Sequence, residues 1–182
     1  DAGLLFGRWH GQIERCLAES GPAHTVLRPN YFMQNFLMSA RSVVDQGVLY
    51  GMTGDGRVSY IDTRDIAAVA AHVLTTVGHQ GAQYTLTGPE ALTATEVAER
   101  LSAATGREVH YVDVGPDGFR QAMAAAGLPD WLVGALVDGN MLLAAGHGGQ
   151  VTDEVARMIR RPPRTFAQFA TDHRVSFAGQ PS

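Results

Sequence analysis

The sequence contains a single cysteine, Cys16, so no disulfide can form within the chain. This fits a reducing, cytoplasmic setting. No apolar run is long enough to cross a bilayer, and no signal peptide is recognisable. The formal net charge is only −4, without a block of either sign, so we expect neither a nucleic-acid partner nor a membrane partner. Neither C-x-x-C nor H-E-x-x-H spacing occurs, and no metal site is predicted.

The 182 residues, of which 45 % are hydrophobic, suffice for a domain with a real core. As far as residue 115, segments typical of strands and helices alternate, which favours an α/β fold with a mostly parallel sheet. From Pro116 onward helical segments dominate. We therefore predict one region over residues 1–115 and a mainly helical region over residues 116–182, which packs on the sheet as a cap and walls a ligand cleft.

Periodicity and capping signals place the individual elements. Strands are predicted at 24–28, 48–50, 58–61, 83–87 and 109–114. Helices are predicted at 8–20, 31–46, 62–77, 93–105, 117–126, 130–145, 152–160 and 165–173. Two T-x-x-E/Q capping boxes, beginning at Thr93 and Thr165, support two of these helices. Cys16 is expected to be a small core residue, and Phe32, Phe36, Leu37 and Val43 are expected to be buried.

The stretch His24–Asn35 (HTVLRPNYFMQN) is the first candidate site. Its short apolar run predicts a buried strand that stops at Pro29, because proline cannot donate a ladder hydrogen bond. Amide, phenol and aromatic side chains follow at once. Open α/β sheets bind ligands just beyond the carboxyl ends of their strands, so this loop is where a ligand is expected.

Two charged groups have alternative interpretations. Asp62, Arg64 and Asp65 could form a charged site, but helix capping and a local ion pair explain them more simply. The run from Arg160 to Arg164 could be a basic patch, but a solvated loop before a capped helix is the simpler interpretation. Four apolar residues of the C-terminal region could line the substrate side of the cleft, although plain core is the simpler interpretation at helical spacing; they are Phe119, Met123, Leu128 and Trp131.

Four stretches together resemble the NmrA-like branch of the atypical short-chain dehydrogenase/reductases. They are HTVLRPNYFMQN at 24–35, YIDTRDIA at 60–67, YTLTGPEALT at 84–93 and RPPRTF at 161–166. The resemblance implies an NAD(P)-binding Rossmann-like fold with a smaller substrate domain. Known members include NAD(P)H-dependent reductases of quinones and azo compounds, and regulators that sense the dinucleotide without turning it over.

By position in that family, Pro29, Asn30, Tyr31 and Phe32 inherit contact with the nicotinamide end of the cofactor. Gln34 and Asn35 follow on the same segment, but one helical face there points away from the ligand. The resemblance implies NADP or NAD as cofactor, with NADP preferred, although the residues that distinguish the two follow the second strand of such folds. A small electrophilic acceptor is the implied second substrate.

The glycine fingerprint that opens such folds is absent. We therefore expect the chain to be the C-terminal portion of a longer protein, with an incomplete Rossmann-like sheet that binds dinucleotide poorly. Because a sheet that lacks strands leaves an edge uncovered, we expect the chain to self-associate.

The Tyr-x-x-x-Lys pair of short-chain dehydrogenases is also absent, and Phe6-Gly7-Arg8-Trp9-His10 stands at the corresponding place. His10 is then the candidate proton donor, with a partly exposed structural histidine as the alternative. Tyr31 is a second candidate donor. A quinone-like acceptor needs little help from a protein acid, because it is already electrophilic and can take its proton from water.

Overall fold

The computed structural model describes residues 5–179, in which helices and short parallel strands alternate. The strands are β1 (Val26–Pro29), β2 (Val48–Gly51), β3 (Gln83–Leu86) and β4 (His110–Asp113). The helices are α1 (Leu5–Glu19), α2 (Ala40–Gln46), α3 (Thr63–Thr75), α4 (Ala94–Thr105), α5 (Gly115–Ala125), α6 (Asp130–Ala144), α7 (Glu154–Ile159), α8 (Phe166–Asp172) and α9 (Arg174–Ala178). A 3-10 helix spans Met33–Ser39.

The strands form two parallel pairs. β1 pairs with β3 in the register Val26↔Gln83 to Pro29↔Leu86, and β2 pairs with β4. Parallel strands need long crossover connections, which here carry the helices. The α/β fold class is thus confirmed. The strand predicted over 58–61 supplies only isolated bridges, from Val58 to Leu92 and from Ile61 to Phe32.

Two hydrophobic clusters hold these elements together. The larger one joins α2, α4, α8 and α9 through fully buried side chains such as Leu101, Phe166 and Phe169. The smaller one packs α3 and β3 against α7, through Val69, Leu86 and Val155 among others. Helices from beyond residue 116 therefore contribute to the same cores as the strands.

Both capping boxes are confirmed. The Thr93 hydroxyl accepts a hydrogen bond from the Glu96 N–H while the Glu96 carboxylate accepts one from the Thr93 N–H, and Thr165 and Gln168 repeat the arrangement. Asp62 caps α3 by accepting from the Arg64 N–H, and its carboxylate also pairs with the Arg64 guanidinium. Capping by Asp62 and its local ion pair are confirmed.

Two predictions of burial are wrong. Cys16 is exposed, because the described part of the chain places no element over that face of α1. Phe32 is 37 % exposed and lies before the helix rather than inside it. Its extended backbone bridges Ile61, so the helical segment predicted from residue 31 begins at Met33, and as a 3-10 helix.

The loop Arg160–Arg164 is not simply solvated. Arg161 and Arg164 both donate to the carboxylate of Asp65, which is fully buried at the first turn of α3. The Arg164 N–H donates to the same carboxylate at 2.6 Å. Asp65 therefore connects two segments 96 residues apart in sequence, beyond the helix-dipole role expected of it.

The predicted division at residue 115 stays a prediction, and residues 1–4 and 180–182, at the ends of the two regions, lie outside the described residues. Across residues 5–179 no helix combines the length and the apolar character that a membrane crossing requires.

Candidate functional site

The candidate loop begins where β1 ends at Pro29. The Asn30 N–H donates to the Leu86 carbonyl at 2.9 Å, so the last strand residue of β3 holds the first loop residue after β1. The Ile61 N–H donates to the Tyr31 carbonyl, and the Met33 N–H donates to the Ile61 carbonyl, each at 2.9 Å. The loop is therefore clamped between two segments at the carboxyl ends of a parallel pair.

Asn30 organises this loop through its side chain. Its amide nitrogen donates to Ser59 Oγ at 2.7 Å and to the Gly148 carbonyl at 2.9 Å, and its amide oxygen accepts from the Tyr31 N–H at 2.8 Å. Ser59 is fully buried, and its hydroxyl donates in turn to the Gln150 carbonyl. The Asn30 amide thus positions the loop and ties it to the segment after α6.

Tyr31 turns its ring toward the protein interior. The ring lies edge-on to Tyr60 with centroids 5.9 Å apart, and it packs against the larger core cluster. Burial raises the pKa of the Tyr31 phenol above its ordinary value. The phenol is therefore protonated at neutral pH, which suits a hydrogen-bond donor and not a base.

Phe32 presents the accessible part of the loop. Its ring is partly exposed, and its N–H points away from the Ile61 bridge without a protein acceptor within residues 5–179. An exposed apolar ring beside an available N–H fits the flat ring and carboxamide oxygen of a nicotinamide. This fit concerns the nicotinamide end of the cofactor alone.

His10 lies exposed on α1. An ion pair between Glu14 and Arg28 joins α1 to β1, and this hydrogen bond lowers the pKa of the Glu14 carboxyl. Because the connection from Glu19 to Val26 is short, helix and strand run antiparallel. Residues 9 and 10 precede Glu14 by about 6–7.5 Å along the helix axis. Two strand residues beyond Arg28 cover nearly the same distance along β1. From these dimensions we infer that residues 9 and 10 lie level with Asn30 and Tyr31 along the strand axis.

Trp9, beside His10, meets Trp131 at the start of α6. Their ring centroids are 5.8 Å apart with the planes tilted by 56°, and Phe6 stands edge-on to Trp9 at 6.0 Å. The far end of α6 leads to Gly148, the residue that accepts from Asn30. α6 spans 15 residues, about 22 Å, so Trp131 and the segment that holds Asn30 lie at opposite ends of this helix.

Sequence reasoning missed some of the residues that matter here. No sequence motif indicates that Ser59 and Gly148 bind the Asn30 side chain and hold the loop in place. Gln34, expected on a segment near the ligand, instead caps α3: its amide accepts from the Thr63 N–H and donates to the Asp62 carboxylate. A residue count shows that the sequence contains no lysine. A Tyr-Lys pair within this chain is therefore excluded. No group of three metal-ligating side chains converges within the described residues.

Comparisons with known proteins find relatives that are similar over most of this chain. The chain is 43 % identical to the NAD(P)H azoreductase of Xenophilus azovorans over 97 % of its length, and 35 % identical to quinone oxidoreductase 2 of Escherichia coli over 87 %. It spans 62 % and 56 % of those two relatives. The crystal structure of an NADPH-dependent quinone oxidoreductase from Escherichia coli, complexed with NADPH, superposes with a TM-score of 0.84 at 32 % identity, over 93 % of this chain and 60 % of that one.

The sequence profile of the NmrA-like family matches residues 9–158, which is most of the chain and includes both the candidate loop and the tryptophan pair. The resemblance seen in the four sequence stretches is thereby confirmed, and the chain belongs to the NmrA-like family.

Proposed function

We propose that this chain is part of an NAD(P)H-dependent reductase of quinone-like or other small electrophilic acceptors, with NADP as the preferred cofactor. The observation that carries the proposal is the 43 % identity, over 97 % of the chain, to an NAD(P)H azoreductase. The clamped loop at the carboxyl end of β1 supports it, since α/β folds place a ligand there.

In this reaction the reduced dinucleotide supplies a hydride, that is, one proton together with two electrons. A quinone that accepts the hydride and one proton becomes a hydroquinone, and the dinucleotide leaves oxidised. The loop Pro29–Phe32 holds the nicotinamide end: Pro29 ends the strand, Asn30 sets the loop position, and Phe32 offers its ring face and N–H. Orientation of the two reactants supplies most of the rate enhancement.

The proton has two candidate sources among the residues. His10 lies exposed at the level of the loop, whereas Tyr31 is a neutral phenol directed toward the core. We assign the donor role to His10, with Tyr31 as the second candidate. Without a lysine to activate a tyrosine, an acceptor that can also take its proton from water suits the site best.

The test is a titration with NADPH and NADH, followed by nicotinamide fluorescence. It is made on this chain and on a form extended at its N-terminus by βαβ units that carry a glycine-rich phosphate loop. We expect the extended form to bind more tightly, to prefer NADPH, and to reduce 1,4-naphthoquinone. Tight binding without turnover across a panel of quinones and azo dyes would contradict the reductase and favour a dinucleotide sensor.

Replacing His10 by alanine is expected to lower kcat/KM of the extended form about tenfold. A general acid contributes only in its protonated form, so wild type and His10→Ala should differ in the pH dependence of kcat/KM. The matched control is His110→Ala, because His110 is also exposed but lies on β4, away from the loop. A pH profile that is the same for wild type and His10→Ala would remove His10 from the mechanism.

A further inference from the structure

Helices α5 and α6 form a hairpin, residues 115–144, that packs chiefly on itself. Residues 126–129 connect the two helices, and a connection this short makes them run antiparallel. Among residues 5–179, Val133, Ala135 and Val137 of α6 are buried but belong to neither of the two hydrophobic clusters that hold the other elements together. The hairpin therefore has a small apolar interior of its own and can move as one unit.

Both ends of the hairpin lie at carboxyl ends of strands. It begins two residues after β4, whose last residue, Asp113, accepts a hydrogen bond from the Gly115 N–H at 2.7 Å. The segment that follows it returns to the other strand pair, where the Gly148 carbonyl accepts from the Asn30 amide just beyond β1. Since α/β folds bind ligands at the carboxyl ends of their strands, the hairpin starts and ends at the expected cleft.

A glycine in the left-handed backbone region lies at each joint of the hairpin. Gly115 has a φ of +62° and Gly146 has a φ of +88°, and two further glycines, Gly148 and Gly149, follow the second joint. A Cβ atom added at Gly115 or at Gly146 would meet no atom of the described residues within 4 Å. These two positions therefore need backbone freedom rather than space, which is the property of a hinge residue.

The hairpin is anchored beside its second joint and free at its other end. Leu143 packs against the larger hydrophobic cluster, and its carbonyl oxygen lies against Gly56. A rotation about an axis through the two joints moves Leu143 little, because it is close to Gly146 in the chain. The same rotation moves the first turn of α6 most, since that turn lies about 22 Å from the second joint.

The free end of the hairpin contacts α1 through Trp131. The centroid of its ring lies 5.8 Å from that of Trp9, with the two planes tilted by 56°. Trp9 keeps 43 % of its surface exposed and Trp131 keeps 55 %, so each ring buries only part of its surface. A contact that removes so little apolar surface from water costs little free energy to break.

We propose that the hairpin of α5 and α6 is a hinged lid over the ligand cleft, with its joints at Gly115 and Gly146 and with the contact between Trp9 and Trp131 as its latch. In the structure the latch is formed and the lid is closed. Release of the latch lets the free end swing away from α1, which opens the cleft for the acceptor to enter and the product to leave. The role of the lid rests on the proposed reductase function, whereas its motion does not.

The test is fluorine NMR relaxation dispersion on the chain without any ligand, with 5-fluorotryptophan in place of tryptophan. The sequence contains two tryptophans, Trp9 and Trp131, so the spectrum has one signal from each side of the latch. Relaxation dispersion detects exchange on the microsecond-to-millisecond timescale, on which lids open. We expect both signals to exchange at one common rate, because a single event separates the two rings.

Alanine at either joint should raise the ratio of open to closed lid about tenfold, because the closed lid then holds a side chain in the left-handed region. The variants are Gly115→Ala and Gly146→Ala. Gly127→Ala is the matched control, since Gly127 has a φ of +82° and equally open surroundings among the described residues. It lies in the turn between the two helices and moves with the lid, so this variant should keep the wild-type ratio.

The inference is overturned by signals that show no exchange, by two unrelated exchange rates, or by joint variants that behave like Gly127→Ala. An open-state signal that coincides with that of the urea-unfolded chain would also overturn it, because the event would then be unfolding. The reductase proposal fails differently, through absent dinucleotide binding or turnover in the extended form. Because the NMR samples contain no ligand, the two failures are distinguishable.

Discussion

Replacing Asp65 by asparagine is expected to lower the free energy of unfolding by about 3 kcal/mol. The Asp65 carboxylate is fully buried and accepts from the side chains of Arg161 and Arg164 and from the Arg164 N–H. Asparagine keeps the shape but removes the charge, and its NH₂ group would oppose a guanidinium. The two arginine side chains remain 40 % and 30 % exposed, so water can solvate them when the carboxylate is removed. The expected loss of stability is therefore at the lower end of the range for a buried ion pair.

The measurement is urea unfolding followed by circular dichroism, with Asp172→Asn as the matched control. Asp172 also pairs with an arginine, Arg64, but is 46 % exposed, so its removal should cost less than about 1 kcal/mol. Equal small losses in the two variants would show that the Asp65 pair does not hold α3 to the Arg160–Arg164 segment.

Replacing Gly88 by alanine is expected to destabilise the fold by a similar amount, about 3 kcal/mol. Gly88 is buried two residues after the end of β3, and a methyl group there would overlap the carbonyl oxygen of Tyr60. That neighbour is backbone and cannot swing aside. The Gly88 N–H also donates to the Ser59 carbonyl at 3.3 Å, so the strain reaches the residue that holds Asn30.

Gly134→Ala serves as the opposite control. Gly134 lies inside α6, where an added methyl group has no neighbour within 4 Å, so alanine should stabilise by about 0.5–1 kcal/mol through helix propensity. Urea midpoints that move in opposite directions are the expected result. An unchanged urea midpoint for Gly88→Ala would mean that the segment after β3 moves aside easily. That result would contradict the idea that this segment holds the candidate loop rigidly.

The sequence by itself determined the local structure. The capping boxes at Thr93 and Thr165 and the cap at Asp62 depend on side chains that lie within three residues of the backbone groups they bind. Gly47 ends α2 in the left-handed conformation that glycine adopts without strain. Alternation of strands and helices indicated parallel pairing, because parallel strands require helical crossovers. The family motifs were likewise legible, since they are continuous stretches.

Only the tertiary structure decided which distant residues meet. From the sequence, Asp65 is interpreted as a charge at the first turn of a helix. In the structure, Arg161 and Arg164 both pair with its carboxylate. Asn30 became a positioning residue because Ser59 and Gly148 lie within hydrogen-bond distance. The contact between Trp9 and Trp131 requires two helices more than a hundred residues apart in sequence to meet. Local pattern depends on neighbours in the chain, whereas these contacts depend on how the two strand pairs and their crossovers pack, which no sequence spacing encodes.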